Sequence, residues 1–304
     1  MKRRQFTLGL VGAALAGKAG AGSGPQAGAG RLARARLAGI EREHGGRFGA
    51  WVLDTATGRE FGWRGDERFG LCSTFKLFLA ARVLEAIDNG TIGATDVLRF
   101  GAADLLPGSP VTARHAGEGG MTVLALAEAA QTTSDNLAAN LLLRRIGGPA
   151  ELTRFWRRLG APGCRLDRVE PDLNFQPPGE LRDTATPREI AHAAAAVLGP
   201  HVLKRESRAV LLAWMAQTTT GMARIRAGLP AAWRAGDKTG TGFRQGMANL
   251  TNDIAVAWPT GAAAPLVVVG FRQAPEFAPA VRAEDEAALK ALGEEAVQWL
   301  LAAG

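Results

Sequence analysis

The sequence has 304 residues, of which 47% are hydrophobic and 21% are charged, as in an ordinary globular protein. Its formal net charge is +7, from 36 basic and 29 acidic residues. Because the basic residues are scattered and no aromatic ladder runs among them, the composition argues against a nucleic-acid-binding protein.

The first thirty residues differ from the rest. Lys2-Arg3-Arg4-Gln5-Phe6 precedes an apolar run that ends at Ala16, and no acidic residue follows before residue 31. The run is too short to span a bilayer, and its flanks are those of an export signal. The paired arginines resemble a twin-arginine signal, which predicts a periplasmic protein with no stable membrane anchor in its mature form. The tripeptides 19–21 and 27–29 both fit a signal-peptide cleavage site. The alternative to an export signal is a disordered tail rich in Gly and Ala.

The rest of the chain predicts strands, then a helical block, then strands again. A helix over 32–44 precedes a hairpin of strands 48–54 and 59–64. The first helix has its predicted apolar face at Leu32, Ala35, Leu37 and Ile40. Later helices are predicted at 122–132, 135–146, 149–159, 187–198, 205–217 and 284–301, and later strands at 231–239, 252–258 and 266–271.

This order predicts an α/β (α+β) fold with an inserted all-helical domain. The first hairpin and the last three strands would form one five-stranded antiparallel sheet flanked by helices. The predicted sheet domain comprises residues 31–68 and 218–304. The predicted helical domain comprises residues 69–217 and includes a long non-periodic loop over 163–186, and we expect the active site at the seam.

The helical block opens with Ser73 and Lys76, at the head of a segment without Pro or Gly before Gly90. An amphipathic helix with one buried stripe is predicted from the spacing of Leu77, Ala81, Leu84 and Ile87. On such a helix Ser73 and Lys76 share a face, where unpaired N–H groups favour developing negative charge. This is a workable setting for a serine nucleophile, although Ser-x-x-Lys alone also occurs by chance.

The cysteines and histidines predict no metal or cofactor site. Cys72 and Cys164 are interpreted as two buried free thiols, with a single disulfide as the alternative. The four histidines lack metal-ligand spacing, so we expect no zinc.

Three further motifs follow Ser73 and Lys76 along the chain. They are Ser134-Asp135-Asn136, Glu170-Pro171-Asp172-Leu173-Asn174 in the long loop, and Lys238-Thr239-Gly240-Thr241-Gly242. With these motifs in this order, residues 31–304 resemble class A serine β-lactamases of the penicillin-recognising serine enzymes. The resemblance implies a β-lactamase/transpeptidase-like fold and a monomer that hydrolyses the amide of penicillins and cephalosporins. Its partners would be the β-lactam and a catalytic water.

The resemblance implies catalytic roles for five residues. Ser73 would attack the lactam carbonyl and form an acyl-enzyme. Lys76 would either take the serine proton or sustain the electrostatics in which a water and Glu170 do so. Ser134 would pass a proton to the leaving nitrogen with help from Lys238, although Ser134 also reads as a helix cap.

The resemblance also implies binding roles. Asn136 would bind the substrate's side-chain amide, and Asn174 would order the hydrolytic water with Glu170. Thr239 and Lys238 would hold the substrate carboxylate, and Thr241 would offer its backbone N–H to the oxyanion beside that of Ser73. Arg224 would assist at the carboxylate, with a surface arginine on a short helix as the alternative.

Two family features concern the long loop. The resemblance implies a cis peptide bond at Glu170-Pro171, although only about one X-Pro bond in twenty is cis in folded proteins. Arg168 and Asp183 match an ion pair that closes the base of the loop, with two solvated charges as the alternative.

Two departures from the family pattern affect substrate range. Gly108 stands where many members carry an aromatic residue at the active-site mouth. Gly242 stands where the carbapenem-hydrolysing group has a cysteine that pairs with the one before the nucleophile, so Cys72 has no such partner.

Two other functions remain as alternatives. A slow-deacylating β-lactam sensor or peptidase-like penicillin-binding protein would use the same nucleophile, but Glu170 and Asn174 argue against it. A binding module would not need all four motifs.

Overall fold

The computed structural model describes residues 25–302. The twin-arginine-like segment and the first candidate cut site, 19–21, lie outside the described residues. The second candidate cut site, 27–29, falls within the first helix.

The helices of residues 25–302 match the predicted order closely. They are α1 (Pro25–His44), α2 (Phe75–Asp88), α3 (Thr112–His115), α4 (Val123–Thr132), α5 (Asn136–Ile146), α6 (Pro149–Arg158), α7 (Pro187–Leu198), α8 (Arg205–Gln217) and α9 (Ala283–Leu301). Proline occupies the first turn of α6 and α7, where the missing N–H costs nothing. None of these helices has the length and the apolar run needed to cross a bilayer.

Five of the strands in this range form one antiparallel sheet in the order β2-β1-β9-β8-β7. The predicted sheet is therefore confirmed. The strands are β1 (Arg47–Asp54), β2 (Glu60–Trp63), β3 (Phe69–Gly70), β4 (Val97–Leu98), β5 (Met121–Thr122), β6 (Thr184–Ala185), β7 (Arg234–Gly242), β8 (Leu250–Trp258) and β9 (Leu266–Gln273). Strands β3 and β6 form one short pair, and β4 and β5 another.

Helices cover both faces of the sheet, so its central strands are buried on both sides. One hydrophobic cluster joins the sheet to α1 and α9 through Leu37, Phe48, Val268 and Leu289. A second joins the other face to the helical block through Phe271, Ile254 and Ile190. Burial on both faces explains why β9, and β8 from Ile254 onward, read as nearly continuous apolar runs.

The predicted apolar face of α1 is partly wrong. Leu32 is 55% exposed and Ala35 is also exposed, whereas Ala33, Leu37 and Ile40 are buried. These three follow the i, i+4, i+7 spacing that faces the sheet and α9, whose position the sequence of α1 does not reveal.

The predicted stripe of α2 is buried at Leu77, Ala81 and Leu84, but the prediction of a single buried face is wrong. Ten of its fourteen residues are buried, on all sides of the helix. Helices α4, α5, α6 and α8 surround it, so α2 is the central helix of the block. A helix enclosed in this way gives Ser73 and Lys76 a rigid support.

Strand β7 ends three residues later than predicted, because Gly240 and Gly242 read as loop residues. In the structure Gly240 allows β7 to pass close to the turn that carries Ser73. A Cβ atom at position 240 would lie 2.7 Å from the Leu71 carbonyl oxygen. The glycine therefore permits contact between the sheet and the helical block.

Candidate active site

Ser73 lies in a 3₁₀ turn, Cys72–Thr74, that leads directly into α2. The preceding residue, Cys72, has a left-handed φ of 46°. Hydrogen bonds fix this turn from two directions: Asn252 Nδ2 donates to the Leu71 carbonyl at 3.2 Å, and Leu71 N donates to the Asp183 carbonyl at 2.9 Å. The turn that carries Ser73 is thus attached to both β8 and the long loop.

Lys76 connects three of the four motifs. Its fully buried Nζ lies 2.9 Å from Ser73 Oγ and 2.9 Å from Glu170 Oε1. It also donates to Asn136 Oδ1 at 2.5 Å and to the Ser134 carbonyl at 2.8 Å. Ser73 Oγ donates to Glu170 Oε1 at 3.2 Å. Both candidate bases for the serine proton are therefore within hydrogen-bond distance of it.

Ser134 does not cap α5, so the capping alternative is wrong. The N-cap is Asp135, whose Oδ1 accepts from Ala138 N at 2.9 Å. Ser134 has a left-handed φ of 61°, and its Oγ accepts from Lys238 Nζ at 3.1 Å. With Lys76 Nζ at 3.4 Å, the hydroxyl lies between two lysines.

Lys238 is fully buried, and its Nζ also donates to the Thr239 carbonyl at 2.9 Å. Burial, followed by the nearby positive charge of Lys76, lowers the pKa of Lys238 to about 7. Its ammonium form therefore predominates below neutral pH and the neutral amine above it.

This lowered pKa predicts a pH effect on binding. Only the protonated amine attracts a substrate carboxylate, so kcat/KM should fall as pH rises through about 7. Arginine stays charged throughout this range, so Lys238→Arg should largely remove this fall in kcat/KM at high pH. Initial rates from pH 5 to 9 measure it, and parallel profiles in parent and variant would contradict this assignment.

The long loop is held against α5 at Glu170. Asn140 Nδ2 donates to the Glu170 carbonyl at 2.8 Å, and Glu170 N donates to Asn140 Oδ1 at 3.0 Å. Asn174 Nδ2 donates to Glu170 Oε2 at 2.5 Å. The Glu170-Pro171 peptide is cis, as the resemblance implied. Asn140 is absent from the predicted site, and its only signal was a polar side chain among the apolar residues of α5.

The Arg168–Asp183 pair closes the base of the loop, so the solvated alternative is wrong. Arg168 Nε lies 2.5 Å from Asp183 Oδ2, and the Asp183 side chain is fully buried. Asp183 Oδ1 also accepts from Asp167 N at 2.7 Å and Arg168 N at 2.9 Å. One carboxylate therefore fixes three donors of the loop.

Arg224 is 3% exposed, so the surface-arginine alternative is wrong too. Its Nη2 donates to Thr241 Oγ1 at 2.8 Å, and its Nη1 donates to the Asn252 carbonyl at 2.8 Å. Thr239 Oγ1 lies 2.6 Å from Thr220 Oγ1. A cation and three hydroxyl groups thus lie together at β7.

A cavity of about 620 Å³ opens over these groups. Its lining includes Ser73, Ser134, Asn136, Arg224, Thr239 and Thr241. The structure thus brings six of the ten predicted site residues to one cavity, and hydrogen bonds or the Lys76–Glu170 ion pair join Lys76, Glu170, Asn174 and Lys238 to them. Such a cleft accommodates a small molecule that carries a carboxylate.

Comparison with known proteins identifies the family. A family model described as "Beta-lactamase enzyme family" matches residues 32–300. The carbapenem-hydrolyzing β-lactamase KPC of Klebsiella oxytoca is 44% identical over 237 residues, which are 78% of this chain and 79% of that protein. β-Lactamase L2 of Stenotrophomonas maltophilia is 44% identical over 238 residues, 78% of this chain and 77% of L2.

Solved structures agree. A class A β-lactamase described as the last common ancestor of Gram-negative bacteria superimposes with a TM-score of 0.82 and 47% identity, covering 88% of this chain and 98% of that one. The chain belongs to the class A β-lactamase family. A β-lactamase from Xanthomonas campestris pv. campestris has a TM-score of 0.83 and 43% identity, covering 90% of this chain and 98% of its own.

Gly108 lines this β-lactamase cavity and adds no side chain to its wall. Its φ of 75° is left-handed, and a Cβ atom there would lie 2.8 Å from Asn136 Nδ2. That amide also donates to the Pro107 carbonyl at 2.8 Å. A side chain at 108 would therefore press on Asn136, unless the loop changed its path.

Cys72 and Cys164 are both buried free thiols, as predicted. Burial raises the pKa of Cys72, and the negative charge of Glu170 raises it further. Cys72 Sγ would lie 2.9 Å from a Cβ atom placed at Gly242. This distance is close to the roughly 3 Å between a Cβ and the far sulfur of a disulfide.

We therefore expect Gly242→Cys to form a disulfide with Cys72 on oxidation. Thiol titration of the denatured, oxidised variant should find one free thiol, Cys164, where the parent has two. The melting temperature should rise and return toward the parent value on reduction. Gly242→Ser is the matched control without a thiol, and three titratable thiols in the oxidised variant would disprove the geometry.

Proposed function

We propose that this family member hydrolyses the β-lactam amide of penicillins and cephalosporins through an acyl-enzyme on Ser73, and so confers resistance. The observation that carries the proposal is the position of Ser73 Oγ, which is 2.9 Å from Lys76 Nζ, 3.2 Å from Glu170 Oε1 and open to the cavity. A hydroxyl between two bases, facing a carboxylate-binding cleft, suits attack on a cyclic amide.

In acylation, Ser73 Oγ bonds to the lactam carbonyl carbon and the ring C–N bond breaks. The serine proton passes to Lys76, or through a water to Glu170, and Ser134 delivers a proton to the leaving nitrogen. Lys238 and Lys76 flank Ser134 Oγ and favour this transfer electrostatically. The backbone N–H groups of Ser73 and Thr241 would stabilise the oxyanion, an effect of about 3 kcal/mol for one donor.

In deacylation, Glu170 takes a proton from a water whose oxygen bonds to the acyl carbon. The bond from that carbon to Ser73 Oγ breaks, and Ser73 Oγ regains a proton from Glu170 or Lys76. Asn174 donates to the second oxygen of this carboxylate and so sets its orientation. Asn140 holds the main chain of Glu170 from α5. We assign water activation to Glu170 and water ordering to Asn174.

Substrate binding is assigned to the rim of the cavity. Asn136 would bind the side-chain amide of the substrate. The carboxylate would lie against Thr239, Thr241 and Lys238, with Arg224 as a second cation behind the threonines.

We infer that the chain acts as a monomer in the periplasm after twin-arginine export. The support for export is the Arg3-Arg4 segment and the apolar run that follows it. The cleft would lie between the sheet domain, 31–68 with 218–304, and the helical domain, 69–217.

Turnover of a chromogenic cephalosporin by the purified mature protein tests the proposal. We expect rapid hydrolysis, and Ser73→Gly should abolish both turnover and the transient covalent adduct seen by mass spectrometry. A parent protein that stalls as a long-lived adduct would favour the β-lactam sensor instead.

A further inference from the structure

A second cavity, of about 430 Å³, lies between α6 and the start of the long loop. None of its lining residues lines the catalytic cavity. Four arginines line it: Arg68 before β3, Arg154 and Arg157 on α6, and Arg165 in the loop. Asp167 is the one carboxylate among its lining residues. Guanidinium groups that converge on one cavity from three segments make its field strongly positive.

Two of these arginines have no acidic partner among residues 25–302. Arg157 is exposed, and its side chain makes neither an ion pair nor a hydrogen bond within that range. Arg68 Nη1 donates to the Gly163 carbonyl at 2.6 Å and to Thr184 Oγ1 at 3.1 Å. These bonds to neutral oxygens fix the guanidinium of Arg68 without neutralising it. The cavity therefore holds two positive charges that no described carboxylate pairs with.

The other two arginines each have one carboxylate partner on the cavity side. Arg154 Nε donates to Glu151 Oε2 at 2.9 Å, and Arg165 Nε donates to Asp167 Oδ2 at 2.9 Å. A single carboxylate leaves several N–H donors of a guanidinium unused. Both arginines can therefore still donate to a bound anion, although their net charge counts for less.

We propose that this cavity binds a phosphate group, either as the free anion or as the phosphomonoester of a larger molecule. Guanidinium forks match the oxygens of a phosphate, which accepts several charge-assisted hydrogen bonds at once. The arginines surround one concave site and do not form a stripe, which favours a small anion over nucleic acid. The cavity is larger than a phosphate, so it has room for the group that carries one.

The position of this phosphate site connects it to both catalytic segments. Arg68 lies five residues before Ser73, and Arg165 lies five residues before Glu170. A phosphate bound by both arginines would join the two segments on a surface that the β-lactam does not occupy. We therefore expect it to oppose local opening of the long loop.

Thermal unfolding in inorganic phosphate, at pH 7 and constant ionic strength, tests the site. The melting temperature of the parent should rise along a saturating curve, because a ligand that binds only the folded state stabilises it. Arg157→Gln should weaken the apparent affinity for phosphate by about tenfold, as expected for one lost charge-assisted hydrogen bond. Its side chain has no partner to lose within residues 25–302, so the variant should fold like the parent.

Arg42→Gln is the matched control. Arg42 is an exposed arginine of α1, on the other side of the sheet, and it makes no ion pair within the described part of the chain. This variant should bind phosphate like the parent. A parent curve that does not saturate, an unchanged affinity in Arg157→Gln, or an equal loss in both variants would overturn the proposal.

Two further measurements test the link to the loop and the source of the phosphate. Phosphate should slow amide hydrogen exchange over 163–186 in the parent and have a weaker effect in Arg157→Gln; unchanged exchange in the parent would contradict the link. Sedimentation with vesicles of phosphatidylcholine and phosphatidic acid, reversed by inorganic phosphate, would identify a lipid headgroup as the source. No sedimentation would identify a soluble phosphate. None of these measurements uses a β-lactam, so their outcome is independent of the proposed function.

Discussion

Glu170→Gln should accumulate the acyl-enzyme on Ser73 and lower kcat by about 10²–10⁴-fold, the usual contribution of a general base. Glutamine keeps the shape of the side chain but cannot accept a proton from water. Asn140 binds only the main chain of Glu170, so the loop should keep its path. Mass spectrometry of the variant mixed with a cephalosporin should find the intact protein plus the mass of the opened substrate.

The same variant separates the two candidate bases for acylation. If Lys76 takes the serine proton, the adduct should form at nearly the parent rate. If Glu170 takes it through a water, adduct formation should slow as well. Asp172→Asn, an exposed carboxyl two residues away, is the matched control and should leave kcat within about twofold. Turnover by Glu170→Gln at close to the parent kcat would show that Glu170 does not serve deacylation.

Asp183→Ala should destabilise the protein by about 3–5 kcal/mol, the usual cost of removing one partner of a buried pair. The change leaves Arg168 Nε and the backbone N–H groups of Asp167 and Arg168 without their acceptor. The left-handed φ of 55° at this position adds to the cost, because alanine adopts it less readily than aspartate. A melting temperature lower by on the order of 6–12 °C is the expected readout.

The loss should also reach catalysis, because Asp183 anchors the loop that carries Glu170. Asp183→Asn tolerates the same backbone and keeps one acceptor, so its loss should be smaller. Asp66→Ala removes the exposed ion pair with Arg188 and should change stability by less than about 0.5 kcal/mol. Equal melting temperatures for Asp183→Ala and Asp66→Ala would mean that the buried pair does not hold the loop.

The sequence predicted the parts of the molecule that are local. Two strands around a short turn, and helices that open with proline, need no information from distant residues. The four motifs could also be recognised in the sequence, because each is a short run of residues whose types point to one chemical role.

Long-range geometry explains what was missed. The buried face of α1 depends on where α9 packs, and the role of Asn140 depends on the path of a loop thirty residues away. Asp135 rather than Ser134 caps α5 because Ser134 adopts a left-handed conformation that leaves its hydroxyl to Lys238.

The burial of Cys72 makes it an internal reporter of opening at the nucleophile. Its sulfur is inaccessible, and its raised pKa keeps the reactive thiolate scarce. A thiol reagent can therefore modify it only when the turn before α2 separates from β7 and β8. In a Cys164→Ala background, the labelling rate of this one sulfur measures how often that separation occurs, and protection by a covalently bound substrate would measure how strongly acylation closes it.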